Sequence, residues 1–419
     1  MTPIFIWIIA FLSIAGVIIR PFNIPEVVWA VSGAIILLLF QFLSLSEGLA
    51  GVAKGLDVYL FLTGMMLLAE TAREEGLFDW LAAHATKRAE GSASRLFLLI
   101  YLVGVVVTTF LSNDATAVVL TPAVAAAVKA AKVKNPLPYL FICAFIANAA
   151  SFVLPISNPA NLVIYGSHMP PLLAWLAQYT LPSLVSIAVT YGVLRFTQRE
   201  ALTESVETSI AIPALSTGGR LAILGITATA VVLLVSSALD RPLGLPTAIT
   251  GMLTTGLVLI RANLNPWVVI KGVSWSVLPL VAGLFVLVEA LIKTGLIQVL
   301  TTLLHDSTSR SVAMTIWASG IGVALTCNLV NNLPAGLITG TVVQASQVPD
   351  VIKSALLIGI DLGPNLSVTG SLATILWLVV LRREGQPVSA WAFLKLGIPV
   401  MTTALLFTLA AIWLYHIYS

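Results

Sequence analysis

Charge is what this sequence has least of. Only 9% of its 419 residues are Asp, Glu, Lys or Arg, against 58% hydrophobic, and the mean hydropathy is +1.02. Soluble domains carry roughly 25% charged residues. A water-soluble protein is therefore excluded, and an all-α polytopic membrane protein embedded in a lipid bilayer is expected. Cysteine is nearly absent too. Cys143 and Cys327 make no spaced metal motif and read as small buried hydrophobes. No P-loop, dinucleotide fingerprint, metal-spaced histidine pair or nucleophile–base arrangement occurs, so no cofactor, no nucleic-acid partner and no enzymatic chemistry is expected. The first apolar run lacks a basic leader and a small-residue cleavage site, so no cleavable signal is expected, and the apolar runs leave no room for a separate soluble domain.

What is present is a series of apolar runs near the roughly 20 residues that cross a bilayer. Ten read as crossings: 3–19, 25–43, 56–71, 138–167, 171–194, 221–239, 245–260, 277–292, 353–381 and 391–418. Two further segments, 95–131 and 310–345, each hold two short apolar runs around a polar tip, and read as re-entrant hairpins. Irregular backbone at membrane depth is tolerated only against protein or a wet cavity.

An internal repeat organises these elements. Sliding the chain by 219 residues matches Gly64 with Gly283, Glu70 with Glu289, Gly76 with Gly295 and Asn113 with Asn332; at 213, Asn148 meets Asp361 and 157–161 meets 370–374. The expected organisation is repeat 1 (1–194, with hairpin 95–131 and broken helix 138–167), a polar linker (195–220), and repeat 2 (221–419, with hairpin 310–345 and broken helix 353–381). Glu70 and Glu289, each near a helix end before a glycine, are expected at the membrane interface.

Cations sort the loops. With ten crossings, sixteen of the 21 Lys and Arg fall on one side; Lys54, Arg241, Lys293, Arg310 and Lys353 fall on the other. Cytoplasmic loops collect Lys and Arg. The linker is then cytoplasmic, both termini are periplasmic, the first hairpin opens to the cytoplasm and the second to the outside. Five crossings per half make the repeats inverted. Inverted repeats with broken helices near the midplane mark a secondary transporter.

Four polar breaks are the expected walls of its site: Ser112, Asn113 and Asp114; Ser157, Asn158 and Asn161 around Pro159; Asn331 and Asn332; Gly370 and Ser371. Ser, Asn and Asp also cap helices, but a buried carboxylate costs far more than a serine cap and is usually functional. Asp114 and Asp361 are therefore candidates to carry or gate a proton, and Asn148, the repeat counterpart of Asp361, could complete the same network. Pro159 removes a backbone donor, so the helix should unwind there. No Lys or Arg lies at any break. A citrate, sulfate or phosphate site would often recruit one, so the ligand is expected to be a small neutral polar molecule or a cation.

Three stretches carry a resemblance: F-L-S-N-D-A-T-A-V-V-L-T-P at 110–122, I-S-N-P-A-N-L at 156–162 and G-P-N-L-S-V-T-G-S-L-A-T-I-L-W at 363–377. Together they resemble the bacterial arsenite and antimonite efflux permeases of the ion transporter superfamily. The first is shared with relatives that move citrate, dicarboxylates or sodium; the pairing with G-S-L-A-T is sharper. The resemblance implies export of trivalent arsenic and antimony from the bacterial inner membrane against protons, alone or with a cytosolic ATPase subunit. It also implies an elevator-type movement of the hairpins and broken helices against a scaffold. Rival expectations are a sodium/proton antiporter, a sodium-coupled anion importer and a passive membrane subunit of an ATP-driven pump.

Overall fold

The computed structural model describes residues 2–166, 169–207 and 212–418. Residue 167, the last of the first expected broken helix, and 208–211 in the linker lie outside the described residues. The described elements are helical; the one ladder contact among them is an isolated bridge between Ser92 and Ser205. The first half runs α1 (Thr2–Ile19), α2 (Glu26–Leu39), α3 (Leu45–Lys54), α4 (Leu56–Glu74), α5 (Leu77–Arg88), α6 (Ala93–Phe110), α7 (Asn113–Ala115), α8 (Thr121–Ala130), α9 (Leu137–Ala149), α10 (Pro159–Tyr165) and α11 (Leu172–Thr197). The second runs α12 (Thr217–Ala238), α13 (Gly244–Ala262), α14 (Pro266–Gly272), α15 (Val277–Ile292), α16 (Leu296–Arg310), α17 (Val312–Val330), α18 (Asn332–Ser346), α19 (Asp350–Leu362), α20 (Leu372–Arg383) and α21 (Ala390–Tyr418).

Helix starts recur at fixed spacing. α6 and α17 begin at 93 and 312, α7 and α18 at 113 and 332, α9 and α19 at 137 and 350, α10 and α20 at 159 and 372. Packing recurs with them: α4 lies on α13 as α15 lies on α2. Glycine makes both contacts close. A Cβ on Gly64 would stand 2.8 Å from the Ala248 nitrogen, and one on Gly283 would stand 2.9 Å from the Ala30 carbonyl carbon, so each crossing admits only hydrogen there.

Among the described residues, seven helices are long and apolar enough to cross a membrane, eight if the pair α3–α4, bent by 47°, is one span. Of the most apolar 18 residues in Leu172–Thr197, Thr217–Ala238, Gly244–Ala262 and Val312–Val330 only 28% are buried, against 61% in Pro266–Ile292. The first four thus expose much of their apolar surface, and the last is largely enclosed by protein. α9 is buried from Pro138 to Ala149, as expected of a helix apolar all round.

Two sequence expectations change. The first arms of the expected hairpins are not short: α6 has 18 residues and α17 has 19, about 27–28 Å each at 1.5 Å per residue, and both are long and apolar enough to cross a membrane. The ends of the first hairpin nevertheless return to one place. The Val206 N–H donates to the Gly91 carbonyl at 3.0 Å, and the next residue, Glu207, donates to the Ala131 carbonyl at 2.9 Å. Four amphipathic or short helices, α3, α5, α14 and α16, also stand where only connections were read. α5 and α16 each start after a left-handed glycine, Gly76 (φ 72°) and Gly295 (φ 84°), a conformation glycine adopts without steric cost, and each lies against both arms of its hairpin.

Candidate functional site

Each hairpin tip is locked to a break of its own half. In the first, Ser112 Oγ accepts the Ala115 N–H at 3.3 Å, and Asn113 Oδ1 accepts the Asp114 N–H at 2.9 Å. The chain then widens into a π turn over Thr116–Leu120, because Pro122 offers no N–H to the Val118 carbonyl; such bulges are frequent at functional sites. Ser157 Oγ donates to the Thr109 carbonyl at 3.0 Å and ties this tip to the first break. In the second, Asn331 takes a positive φ of 71° with an extended ψ of 151°, a sparsely populated conformation of the kind that clusters at functional sites. Its Nδ2 donates to the Thr369 carbonyl at 3.2 Å, and the Asn332 N–H donates to the Gly370 carbonyl at 2.8 Å.

The breaks are held by amides. Asn161 Nδ2 donates to the Ser151 and Pro155 carbonyls at 2.9 and 3.3 Å, supplying donors where the helix has unwound. Asn158 reaches across the halves: its Oδ1 caps the Ala160 N–H at 3.0 Å, and its Nδ2 donates to Asp361 Oδ1 at 2.7 Å. Asp361 is fully buried, and its second oxygen has no hydrogen-bond partner among the described residues. Asn148 pairs elsewhere, donating to Asn365 Oδ1 at 2.9 Å, while Asn365 Nδ2 donates to the Phe145 carbonyl at 3.1 Å. Ser371 Oγ caps the Thr374 N–H at 3.1 Å.

Between the tips, the breaks and helices α4 and α15 lies a cavity of about 30 Å³. Its lining follows the repeat. Leu62 and Val281, Asn113 and Asn332, Asp114 and Leu333, Pro159 and Leu372, and Ala160 and Ala373 all face it, together with Asn158 and Val277. Ten of the twelve lining residues are thus repeat counterparts, and the cavity straddles the relation between the halves. Its polar groups are three amides and the Asp114 carboxylate; no Lys or Arg reaches it. A second cavity of about 60 Å³ adjoins it, sharing Leu62, Asp114, Pro159 and Val277, and passes Ser112 to end at Glu70 and Gly272.

The structure therefore gathers Asn113, Asp114, Asn158 and Asn332 on one cavity, with Ser112 beside it. Ser157, Asn161, Asn331 and Ser371 turn their side chains to backbone, Gly370 contributes its carbonyl, and Asp361 stands behind Asn158. Asn148 does not meet Asp361 through a hydrogen bond. Both cysteines are buried and free and line neither cavity. Sequence reading missed Asn365, signalled only by its place in G-P-N-L, and did not give Glu70 a place beside a cavity. Glu70 is 5% exposed, holds Arg73 through contacts of 2.6 and 2.9 Å and ends the second cavity. Glu289 instead pairs with Lys54 at 2.6 Å.

Comparison with known proteins fits this architecture. A family model described as Citrate transporter matches residues 5–364. An arsenical pump membrane protein of Escherichia coli (strain K12) is 30% identical over 368 residues, covering 81% of this chain and 82% of that protein. One of Yersinia enterocolitica is 29% identical over 361 residues, with the same shares covered. The crystal structure of the Alcanivorax borkumensis YdaH transporter matches with a TM-score of 0.58 at 14% identity, over 88% of this chain and 87% of that one, and so shares the fold. This multi-pass membrane protein belongs to the transporter family that the citrate transporter model describes, and within it to the arsenical pump membrane proteins.

Proposed function

We propose that the chain exports arsenite and antimonite across the bacterial inner membrane in exchange for protons. The observation that carries this reading is the cavity at the repeat relation: three amides and one carboxylate, no cation, and about 30 Å³. Arsenous acid at neutral pH is a small uncharged trihydroxy molecule. Asn113, Asn158 and Asn332 can donate to and accept from its hydroxyls, and the helix starts beside them add N–H donors. A cavity of this volume holds on the order of two waters, so the tips part to admit the solute. A thiol-free site suits a transporter, since three thiolates would hold arsenic too tightly for release.

Asp114 is the proposed proton carrier. It is the polar member of a mismatched pair, with Leu333 as counterpart, and it faces both cavities. The second cavity gives it a route to Glu70, beside the exposed Arg73 and Gly272. Asp361 is proposed to orient Asn158 rather than to carry the proton. One entering proton for one neutral solute moves net charge, and 100 mV then supports roughly a fifty-fold gradient.

In this reading the membrane contains ten crossings in two inverted repeats, with the linker cytoplasmic and both termini periplasmic. The hairpins and broken helices move as one body against α1–α4 and α12–α15 in an elevator-type cycle. A cytosolic ATPase subunit is an optional partner. Citrate is disfavoured, because a buried tricarboxylate without Lys or Arg would lack counter-charge. A sodium/proton antiporter is the second reading, favoured by the Asp114 carboxylate among amides.

The test is arsenite flux into inverted membrane vesicles with an imposed pH gradient, with and without ATP. Uptake driven by the gradient alone supports the proposal. Uptake that needs ATP selects a pump subunit, and acid-linked sodium exchange without arsenite movement selects the antiporter.

A further inference from the structure

Away from the transport cavity, α5 and the arm α6 enclose an open groove of about 420 Å³. Its wall is aliphatic along Leu99, Leu102, Val103 and Val106. Trp80 and His84 stand on the opposite side with ring centroids 4.1 Å apart, and Arg88 lies at one end. Leu102 and Val106 are 48% and 53% exposed on a helix apolar enough to cross a membrane, so the trough opens toward lipid.

The repeat supplies an internal comparison. A groove of about 480 Å³ lies between α16 and α17. At the spacing of 219, Leu300, Ala318 and Gly322 take the places of Leu81, Leu99 and Val103 in its wall. Its counterparts of His84 and Arg88 are Leu303 and Ser307, so one trough ends in a cation and the other does not. Lys87 and Arg88 are exposed and form no ion pair among the described residues; the neighbouring Glu90 is taken by Arg95.

We propose that the groove between α5 and α6 is a binding site for an anionic phospholipid. An acyl chain lies along Leu99, Leu102, Val103 and Val106, and the phosphate is held by Arg88 with Lys87. Arginine matches phosphate with paired N–H donors, and a basic helix with aromatic residues on its apolar side is suited to the headgroup boundary. The groove on α16, lacking a cation, holds uncharged or zwitterionic lipid without preference.

The experiment uses the full chain in detergent, with phosphatidylglycerol or phosphatidylcholine of the same acyl chains added, and reads the unfolding midpoint and retained lipid by native mass spectrometry. Phosphatidylglycerol is expected to raise the midpoint and to remain bound at one equivalent, while phosphatidylcholine does neither. Removing both cations in Lys87→Ala/Arg88→Ala weakens phosphatidylglycerol about thirty-fold, at ~1 kcal/mol per basic residue, and leaves the lipid-free midpoint unchanged because both side chains are exposed. Val103→Trp fills the trough and gives the same loss, whereas Gly322→Trp in the other groove leaves phosphatidylglycerol binding intact. Equal stabilisation by the two lipids, or a phosphatidylglycerol effect that survives the double variant, overturns the proposal. None of these readouts depends on the transported solute.

Discussion

Asn158 and Asp361 join the two halves of the chain through one buried contact, Nδ2 to Oδ1 at 2.7 Å. Of the two, only Asn158 faces the cavity between the hairpin tips. The carboxylate therefore fixes which way the amide points, leaving Asn158 Oδ1 on the Ala160 N–H. If orientation is its task, Asp361→Asn keeps an acceptor for the amide and transports with an unchanged pH profile. Asp361→Ala leaves a buried donor unpaired. A hydrogen bond to a charged group contributes about 1.5–3 kcal/mol, so the KM for arsenite should rise about ten- to a hundred-fold with a smaller change in maximal rate. Initial rates in inverted vesicles check this; loss of pH response in Asp361→Asn would instead return the proton to Asp361.

Asp114 differs because it faces both cavities. Asp114→Asn keeps the size of the side chain but removes the carboxylate proposed to carry the proton. The roughly fifty-fold gradient that one charge per 100 mV supports should fall to unity, while exchange of labelled for unlabelled arsenite continues. Vesicle accumulation with and without an uncoupler measures the difference. Retained accumulation with a normal pH response removes Asp114 from coupling.

How far the sequence could be read depended on what each residue faces. Asn113, Asp114 and Asn332 were legible because polar side chains amid apolar runs have few tolerable surroundings, and the repeat paired Asn113 with Asn332. Asn158 and Asn161 could not be told apart. Both flank Pro159, and only the path of the unwound backbone turns one to the cavity and the other to the carbonyls of Ser151 and Pro155. Helices α5 and α16 were hidden by mixed composition, which looks like a loop to a search for apolar runs. The contact of Asn148 with Asn365 rather than Asp361 was beyond a repeat argument, since it joins residues that are not counterparts.

Asn113 and Asn332 are counterparts on the cavity but are not equally engaged. Asn113 Oδ1 already accepts the Asp114 N–H, whereas Asn332 is anchored by its backbone N–H on Gly370. Asn332→Ala should therefore lose a solute contact alone: at 0.5–1.5 kcal/mol for one hydrogen bond, affinity drops about two- to ten-fold with the unfolding midpoint unchanged. Asn113→Ala should show a similar loss of affinity and also a lower midpoint. Arsenite binding by calorimetry beside thermal unfolding separates the two.

Glu70 occupies its place because residue 272 is glycine. A Cβ there would collide with Glu70 Oε1, so Gly272→Ala must push the carboxylate out of the cavity end or shift α14 against α4. If Glu70 passes the proton between Asp114 and the cytoplasm, displacing it and neutralising it have one consequence. Glu70→Gln and Gly272→Ala should both slow proton-driven flux with KM little changed, and a penalty of ~1.4 kcal/mol on the proton step would lower the rate about ten-fold. Arsenite exchange without net proton movement should be spared in Glu70→Gln. The Arg73 contacts supply the counter-test: Arg73→Gln removes the ion pair but leaves the carboxylate, so it should retain coupled flux. Wild-type flux and pH profile in Glu70→Gln would place the proton's exit elsewhere, whereas equal loss of exchange and coupled flux would make Glu70 a packing residue of α4.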